Sequence, residues 1–313
     1  MKEPDISVVI PAYNEEENVP LLYRQLKSVL GRAGKDYEII FIDDGSTDST
    51  FKILERLHSS DKKLRAIKFR KNFGQTAAID AGFKAASGKV IVVMDSDLQN
   101  DPEDIPRLID ELNKGYDAVS GWRFDRKDNP GKKFFSLISN SIRKAATGEK
   151  IHDSGCTLKA YRKECVKSID LYGEMHRYIP SLLSWKGFKI GELKVRHNPR
   201  KFGKSKYGIR RIFKGFLDLL IVKFWMQYSA RPIHLFGSFG LLSLFLGFIT
   251  GIYLVIEKFV YGIALSNRPL LLLDVLLIII GLQFILFGIL ADIMIKVYYS
   301  EKDREPYSIE KKL

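Results

Sequence analysis

The sequence predicts an α/β domain, a Rossmann-like and mostly parallel sheet, followed by interfacial amphipathic helices and a two-helix transmembrane hairpin. Three observations carry this reading. Short apolar runs alternate with amphipathic segments as far as about residue 230, two apolar stretches of bilayer length follow, and a basic amphipathic segment lies between the two regimes. The expected divisions are residues 1–204, 205–232, 233–298 and a tail at 299–313.

The strands are "ISVVI" from Ile6, "YEIIFI" from Tyr37, "LRAIKF" from Leu64, "KVIVVM" from Lys89 and "DAVSG" from Asp117. All are short and mostly apolar, and the first, second and fourth are rich in β-branched residues, as strands buried on both faces should be. Helical patterns near residues 17–31, 48–58, 75–86 and 102–113 separate them, which makes crossover connections and hence parallel pairing the natural arrangement. In 205–232, Ile209, Phe213, Phe216, Leu220 and Phe224 recur at helical spacing, while Arg210, Arg211, Lys214 and Asp218 fall mostly on another face. Such a helix gains about 1 kcal/mol per Lys or Arg at an anionic membrane surface. The net charge of +13 is explained by that surface, and no nucleic-acid module is present to claim it.

The first apolar stretch runs from His234 to Ile256 and the second from Leu270 to Val297. Each is long enough to cross a hydrocarbon core of about 30 Å. Asp292 precedes Lys296 by one helical turn, so a paired charge near the interface is expected there. Lys and Arg are denser before the first span and after the second than in the linker, which holds Lys258 and Arg268; the positive-inside rule puts both ends in the cytoplasm. "ISVVIPAY" is too short for a signal peptide and breaks at Pro11. An integral, multi-pass membrane protein with a cytoplasmic catalytic domain is therefore expected. Cys156 and Cys165 lack a C-x-x-C pattern and suit buried, reduced thiols. The histidines form no H-x-x-x-H pair, which disfavours a zinc enzyme.

Ligands of open α/β sheets bind beyond the carboxyl ends of the strands. There the chain carries "PAYNEEEN", "DDGSTDST", "RKNFGQ" and "DSDLQ" after the first four strands. No G-x-G-x-x-G opens a helix and no P-loop is present, so ordinary dinucleotide and ATP-hydrolysis sites are disfavoured. The stretch "VIVVMDSDLQN" remains, a buried strand running into Asp95 and Asp97. In an extended segment their carboxylates share a side, and such oxygen ligands suit Mg²⁺ or Mn²⁺ bridging to a diphosphate. Gln99 keeps the same parity.

Together "VVIPAYNEEENV", "IDDGSTDST", "KNFGQTAAIDAGFKAASG" and "MDSDLQNDPE" resemble the GT-A glycosyltransferases of family 2. "DSGCTLKAYRK" and "HNPRKFGKSKYG", followed by the interfacial helix and hairpin, resemble the polyprenyl-phosphate branch of that family. The resemblance implies that Pro11, Tyr13 and Glu15 line a nucleoside pocket and that Asp44 accepts a hydrogen bond from the base, with Asp43 bracing the turn. It implies that Asp95 and Ser96 meet the ribose and diphosphate, and that Asp97 and Gln99 hold the metal. Arg200 and Lys206 would clamp the donor diphosphate, while Arg123 and Arg143 would receive the acceptor phosphate. Asp153 stands where the family has a candidate base; orienting sugar hydroxyls and steadying an oxocarbenium-like centre are the alternative roles.

The expected reaction is inverting transfer of a hexose from a nucleotide sugar to undecaprenyl or dolichyl phosphate. UDP-glucose is preferred as donor, with GDP-mannose, UDP-N-acetylglucosamine and modified arabinose donors as alternatives. Polysaccharide synthesis with export would need more spans, and a non-catalytic nucleotide-sugar-binding scaffold sits poorly with the intact acidic motif. The partners are the nucleotide sugar, the lipid phosphate and the membrane, and a homo-oligomer is compatible with all of this.

Overall fold

The computed structural model describes residues 3–124, 151–171, 173–199, 223–224, 226–228, 231–266 and 268–301. The chain divides into two compact units, Met1–Val222 and Lys223–Leu313.

In the first unit the described strands are β1 (Ile6–Ala12), β2 (Tyr37–Asp43), β3 (Leu64–Lys68), β4 (Val90–Val93), β5 (Ala118–Arg123), β6 (Lys159–Arg162) and β7 (Ile190–Val195). They form one sheet in the order β3-β2-β1-β4-β6-β5-β7. The pairs β1–β2, β1–β4, β2–β3 and β5–β7 are parallel, whereas β6 runs antiparallel to both β4 and β5. All five expected strands are present. The two others, β6 and β7, contain lysines and arginines that mask them in the sequence.

Every residue of β1 and β2 is buried, as befits central strands with helices on both faces. Helix α1 (Val19–Arg32) turns Val19, Leu22, Tyr23, Leu26, Val29 and Leu30 inward at intervals of three and four. Helices α2 (Thr50–Ser60), α3 (Gln75–Ala85) and α4 (Asp104–Leu112) supply the remaining crossovers. The main core joins Val8, Ile10, Phe41 and Val92 of the sheet to Leu22, Leu26, Leu54, Ile105 and Leu108 of the helices. On the other face α3 comes so close to β1 that a Cβ on Gly82 would lie 2.1 Å from Val9 Cγ1. Only glycine permits that approach.

In the second unit two long helices, α7 (Pro232–Val260) and α8 (Pro269–Glu301), follow the short α5 (Lys163–Lys167) and α6 (Ile179–Trp185) of the first. The apolar segments Pro232–Val260 and Pro269–Val297 have mean hydropathies of 2.3 and 2.8 and are long and apolar enough to cross a membrane. Most of their large apolar side chains face outward, Phe248 and Leu272 among them. The pair packs at small residues: a Cβ on Gly240 would lie 2.8 Å from the Gly281 carbonyl oxygen. Thr250 Oγ1 lies 2.8 Å from Asp274 Oδ1 on the facing helix, and the expected Lys296–Asp292 pair forms at 2.9 Å. Of the expected interfacial helix, 205–222 lies outside the described residues.

Candidate active site

The loops at the carboxyl edge of the sheet are tied to one another in sequence. Asn14, in the left-handed region at φ 56°, donates its N–H to Ser46 Oγ and accepts the Thr47 N–H on Oδ1, both at 2.9 Å. Glu16 accepts the Ser49 N–H at 2.9 Å, and Glu15 N–H donates to Thr50 Oγ1 at 2.9 Å. These bonds lace the loop after β1 to the loop after β2. Asp44 then reaches the loop after β3, taking the N–H groups of Phe73 and Gly74 at 2.7 and 2.9 Å. Gln75, first residue of α3, donates its side-chain amide to Asp95 Oδ1 at 2.8 Å. Thr157 donates to Asp95 Oδ2 at 2.6 Å and accepts Asn100 Nδ2 at 3.1 Å. Five loops thus form one rigid edge.

Pro11 is buried at the end of β1, with Tyr13 and Glu15 partly buried just beyond it. Asp44 is buried; its carboxylate is engaged by the third loop, so any contact with a base must use its remaining lone pairs. Asp43 braces the turn, accepting the Ser46 N–H at 2.9 Å.

The acidic motif departs from the extended geometry expected of it. Strand β4 ends at Val93, residues 96–98 form a bend, and Leu98 has φ 61°. Strand parity therefore does not reach Gln99, whose place is set by its main chain: its N–H donates to Asp97 Oδ1 at 3.2 Å and its carbonyl accepts the Asn198 N–H at 2.8 Å. The latter bond, with the Asn100–His197 bridge, draws His197 and Asn198 alongside the acidic loop. Arg200 and Lys206 themselves lie outside the described residues, as does Arg143.

Ser96 and Asp97 are buried. Loss of hydration and the neighbouring Asp97 charge push the Asp95 carboxyl up to about 6, against the opposing effects of Thr157 and Arg123. A cation between these carboxylates would relieve both unfavourable terms. Among the described residues no group of three or more His, Cys, Asp or Glu is arranged to hold a metal. The site therefore fits an ion that completes its shell with phosphate oxygens and water, as Mg²⁺ and Mn²⁺ do, and does not form an all-protein cage.

Arg123, at the end of β5, and Asp153 meet in a bidentate pair: Nε to Oδ2 at 2.7 Å and the terminal nitrogen to Oδ1 at 2.9 Å. The two side chains are 14% and 17% exposed. Burial would raise the Asp153 carboxyl, but the hydrogen bonds and charge of Arg123 outweigh it and hold the group below its usual value. The sequence names both residues without showing that they meet. It also misses Gln75 and Thr157 on Asp95, and the buried His176, whose Nδ1 lies 2.7 Å from Thr76 Oγ1 at the start of α3. Lys159, also missed, is buried and donates to the Ser154 carbonyl at 3.0 Å.

A carboxylate pair just past the end of a central strand, with a cation from the next strand but one of the same sheet, is the layout of a GT-A glycosyltransferase. The chain belongs to glycosyl transferase family 2, whose family model matches residues 7–170. Among curated relatives it is 40% identical to the dodecaprenyl-phosphate galacturonate synthase of Rhizobium johnstonii, over 97% of this chain and 92% of that one. It is 35% identical to the undecaprenyl-phosphate 4-deoxy-4-formamido-L-arabinose transferase of Photorhabdus laumondii, over 98% and 93%. The solved glucosyl-3-phosphoglycerate synthase of Mycobacterium tuberculosis, in complex with Mn²⁺ and uridine-diphosphate-glucose, shares the fold. Its TM-score is 0.53 at 20% identity, over 70% of this chain and 79% of that one.

Proposed function

We propose that this chain transfers a sugar from a nucleotide donor to a polyprenyl phosphate at the cytoplasmic face of a membrane. The observation that carries the reading is the Asp95–Asp97 pair set beside Arg123 at one sheet edge, in a chain that also has two helices of bilayer length. An acidic site for a metal-bound diphosphate and a cation for a second phosphate are what such a transfer needs. Both curated relatives named above bear the names of polyprenyl-phosphate sugar transferases.

Asp97, with Asp95 beside it, would hold the divalent ion, which supplies charge neutralisation to the departing diphosphate. The Pro11–Glu15 segment and Asp44 would bind the nucleoside. Arg123, with Arg143, would hold the acceptor phosphate, and Arg200 and Lys206 the donor diphosphate. The second ionisation of a phosphate monoester lies near 6, so its oxygen is already anionic at neutral pH and needs no strong base. Asp153, held below the usual carboxylate range by Arg123, is a poor proton acceptor. Its role is to orient the guanidinium for an in-line attack that inverts the anomeric centre.

The sequence alone favours UDP-glucose as donor. The relatives' names favour galacturonate or a formamido-arabinose instead, and galacturonate takes precedence through the 40% match. The test incubates the full chain with undecaprenyl phosphate, Mg²⁺ or Mn²⁺ and UDP-galacturonate, UDP-glucose, UDP-4-deoxy-4-formamido-L-arabinose or GDP-mannose. Transfer from one of the first three identifies the sugar; no lipid-linked product from any donor would overturn the reading. Protease or labelling access to the C-terminal tail from the cytoplasmic side alone is expected in the same membranes, and access only from outside would reverse the topology.

A further inference from the structure

The segment from Ile151 to Gly155 has no strand-ladder hydrogen bonds among the described residues, yet it carries Asp153 to Arg123. Besides the Arg123–Asp153 pair and the bond from Lys159 to the Ser154 carbonyl, one side chain of β7 holds its main chain. Glu192 of β7 lies opposite Ser120 of β5 in the parallel pairing, three residues before Arg123. One carboxylate oxygen, Oε1, accepts two successive N–H groups, from His152 at 2.9 Å and Asp153 at 3.1 Å. The other, Oε2, lies 2.7 Å from His152 Nδ1. The His152 ring stacks on Trp122 of β5, with centroids 4.4 Å apart and planes at 15°.

From this arrangement we infer that Glu192 is a positioning residue for the transfer, fixing Asp153 and through it the Arg123 guanidinium, with His152 as the brace between Glu192 and Trp122. The inference rests on the proposed polyprenyl-phosphate reaction for its consequence, though not for its geometry. The Glu192 side chain is 15% exposed. A carboxylate covered to that degree is satisfied here by bonds to the 152–153 dipeptide, so the dipeptide and the strand are locked together. The end of β5 and the middle of β7 hold the dipeptide at three points: the Arg123 side chain on Asp153, the Trp122 ring on His152 and the Glu192 carboxylate on both backbone N–H groups. Without Glu192 the loop keeps Arg123, the Trp122 stack and the Lys159–Ser154 bond but loses the acceptor of both N–H groups that flank Asp153, so the carboxylate and the guanidinium it holds can shift. A shift of about 1 Å in a positioning group can cost about a hundredfold in rate.

The experiment compares full-chain Glu192→Ala, Glu192→Gln and His152→Ala with the parent protein in detergent. Three quantities are read: amide hydrogen exchange over residues 151–156, binding of UDP with Mn²⁺, and initial rates against lipid phosphate. Glu192→Gln retains an oxygen able to accept both N–H groups, so it should stay within about threefold of the parent in kcat. Glu192→Ala should exchange at least about tenfold faster in this segment and lose about ten- to a hundredfold in kcat. Its affinity for UDP and Mn²⁺ should stay within about twofold, because Asp95 and Asp97 are held by other loops. His152→Ala should fall between the two. Parent-like exchange in Glu192→Ala would overturn the inference, as would equal losses of UDP affinity and kcat, or a glutamine variant as impaired as the alanine one. Should Glu192→Ala fail to fold, His152→Ala and Glu192→Gln carry the same comparison. If the parent transfers no sugar to lipid phosphate, the functional reading fails, while the exchange measurement still decides whether Glu192 holds the loop.

Discussion

Replacing Asp153 with Asn tests the electrostatic core of the site. The Arg123–Asp153 pair is bidentate and mostly desolvated, with side-chain exposures of 14% and 17%. Removing one partner of a fully buried pair costs about 3–5 kcal/mol, and exposed pairs are worth about 0–1 kcal/mol. Between these limits, and with Asn able to keep one hydrogen bond, Asp153→Asn should cost about 2–3 kcal/mol. That corresponds to a fall in Tm of about 4–12 °C for a domain of this size. The loss should be pH-dependent in a defined sense. Arg123 holds the folded Asp153 below its unfolded value, so the pair's contribution is complete above about pH 4 and disappears as pH falls through the folded value. The parent protein should therefore lose Tm more steeply than Asp153→Asn on acidification below pH ~4, and the two curves should converge. A double-mutant cycle with Arg123→Met, read by chemical denaturation, should give a coupling of about 2 kcal/mol. Additivity to within about 0.5 kcal/mol would show that the pair carries no coupling and that its geometry has another cause.

Asp97→Asn should lower transfer at least about a hundredfold and abolish its response to Mg²⁺ or Mn²⁺, with circular dichroism unchanged; full activity in excess chelator would remove the metal assignment. Gly82→Ala should destabilise the first unit by about 1–2 kcal/mol, because the crowding of Val9 exceeds the helix-propensity gain of about 1 kcal/mol. An unchanged denaturation midpoint would mean that β1 yields to the methyl group. Burial pushes Cys156 up to about 11 and Cys165 up to about 12, so neither thiol should react with maleimide at pH 7 until the protein is unfolded. Rapid labelling of the native chain would contradict that burial.

The parts that could be read directly from residue order are those governed by local hydrophobicity. Strand β4 is an uninterrupted apolar run, β1 is broken only by Ser7, β2 only by Glu38 before it ends in Asp43, and the two long helices need no tertiary partner to be recognised. Strand β6, "KAYR", is hidden because its pairing partners lie far away in sequence and Lys159 becomes buried only once the sheet has closed around it. The acidic motif announces itself, but the bend at 96–98 that aims it depends on Leu98 adopting a left-handed conformation that its side chain does not advertise. Arg123 and Asp153 were each identified as functional candidates. Their mutual engagement, and the hold of Glu192 on the loop, arise from contacts spanning 30 and 39 or more positions, which no periodicity encodes.

Strand β6 has a consequence for the reach of the site. Because it runs against its neighbours, it begins where β4 and β5 finish, which delivers Thr157 to Asp95 and the Asp153 loop to Arg123 from a single stretch of chain. It also stands between those two strands as a spacer. Two strand-to-strand steps amount to about 9–10 Å, so the backbones of β4 and β5, which lead to the acidic pair and the arginine, are held apart by a width that hydrogen bonding fixes. With the roles proposed above, the sheet would act as a gauge: the donor diphosphate at the acidic pair and the acceptor phosphate at Arg123 would lie on either side of β6, without either one occupying the other's place.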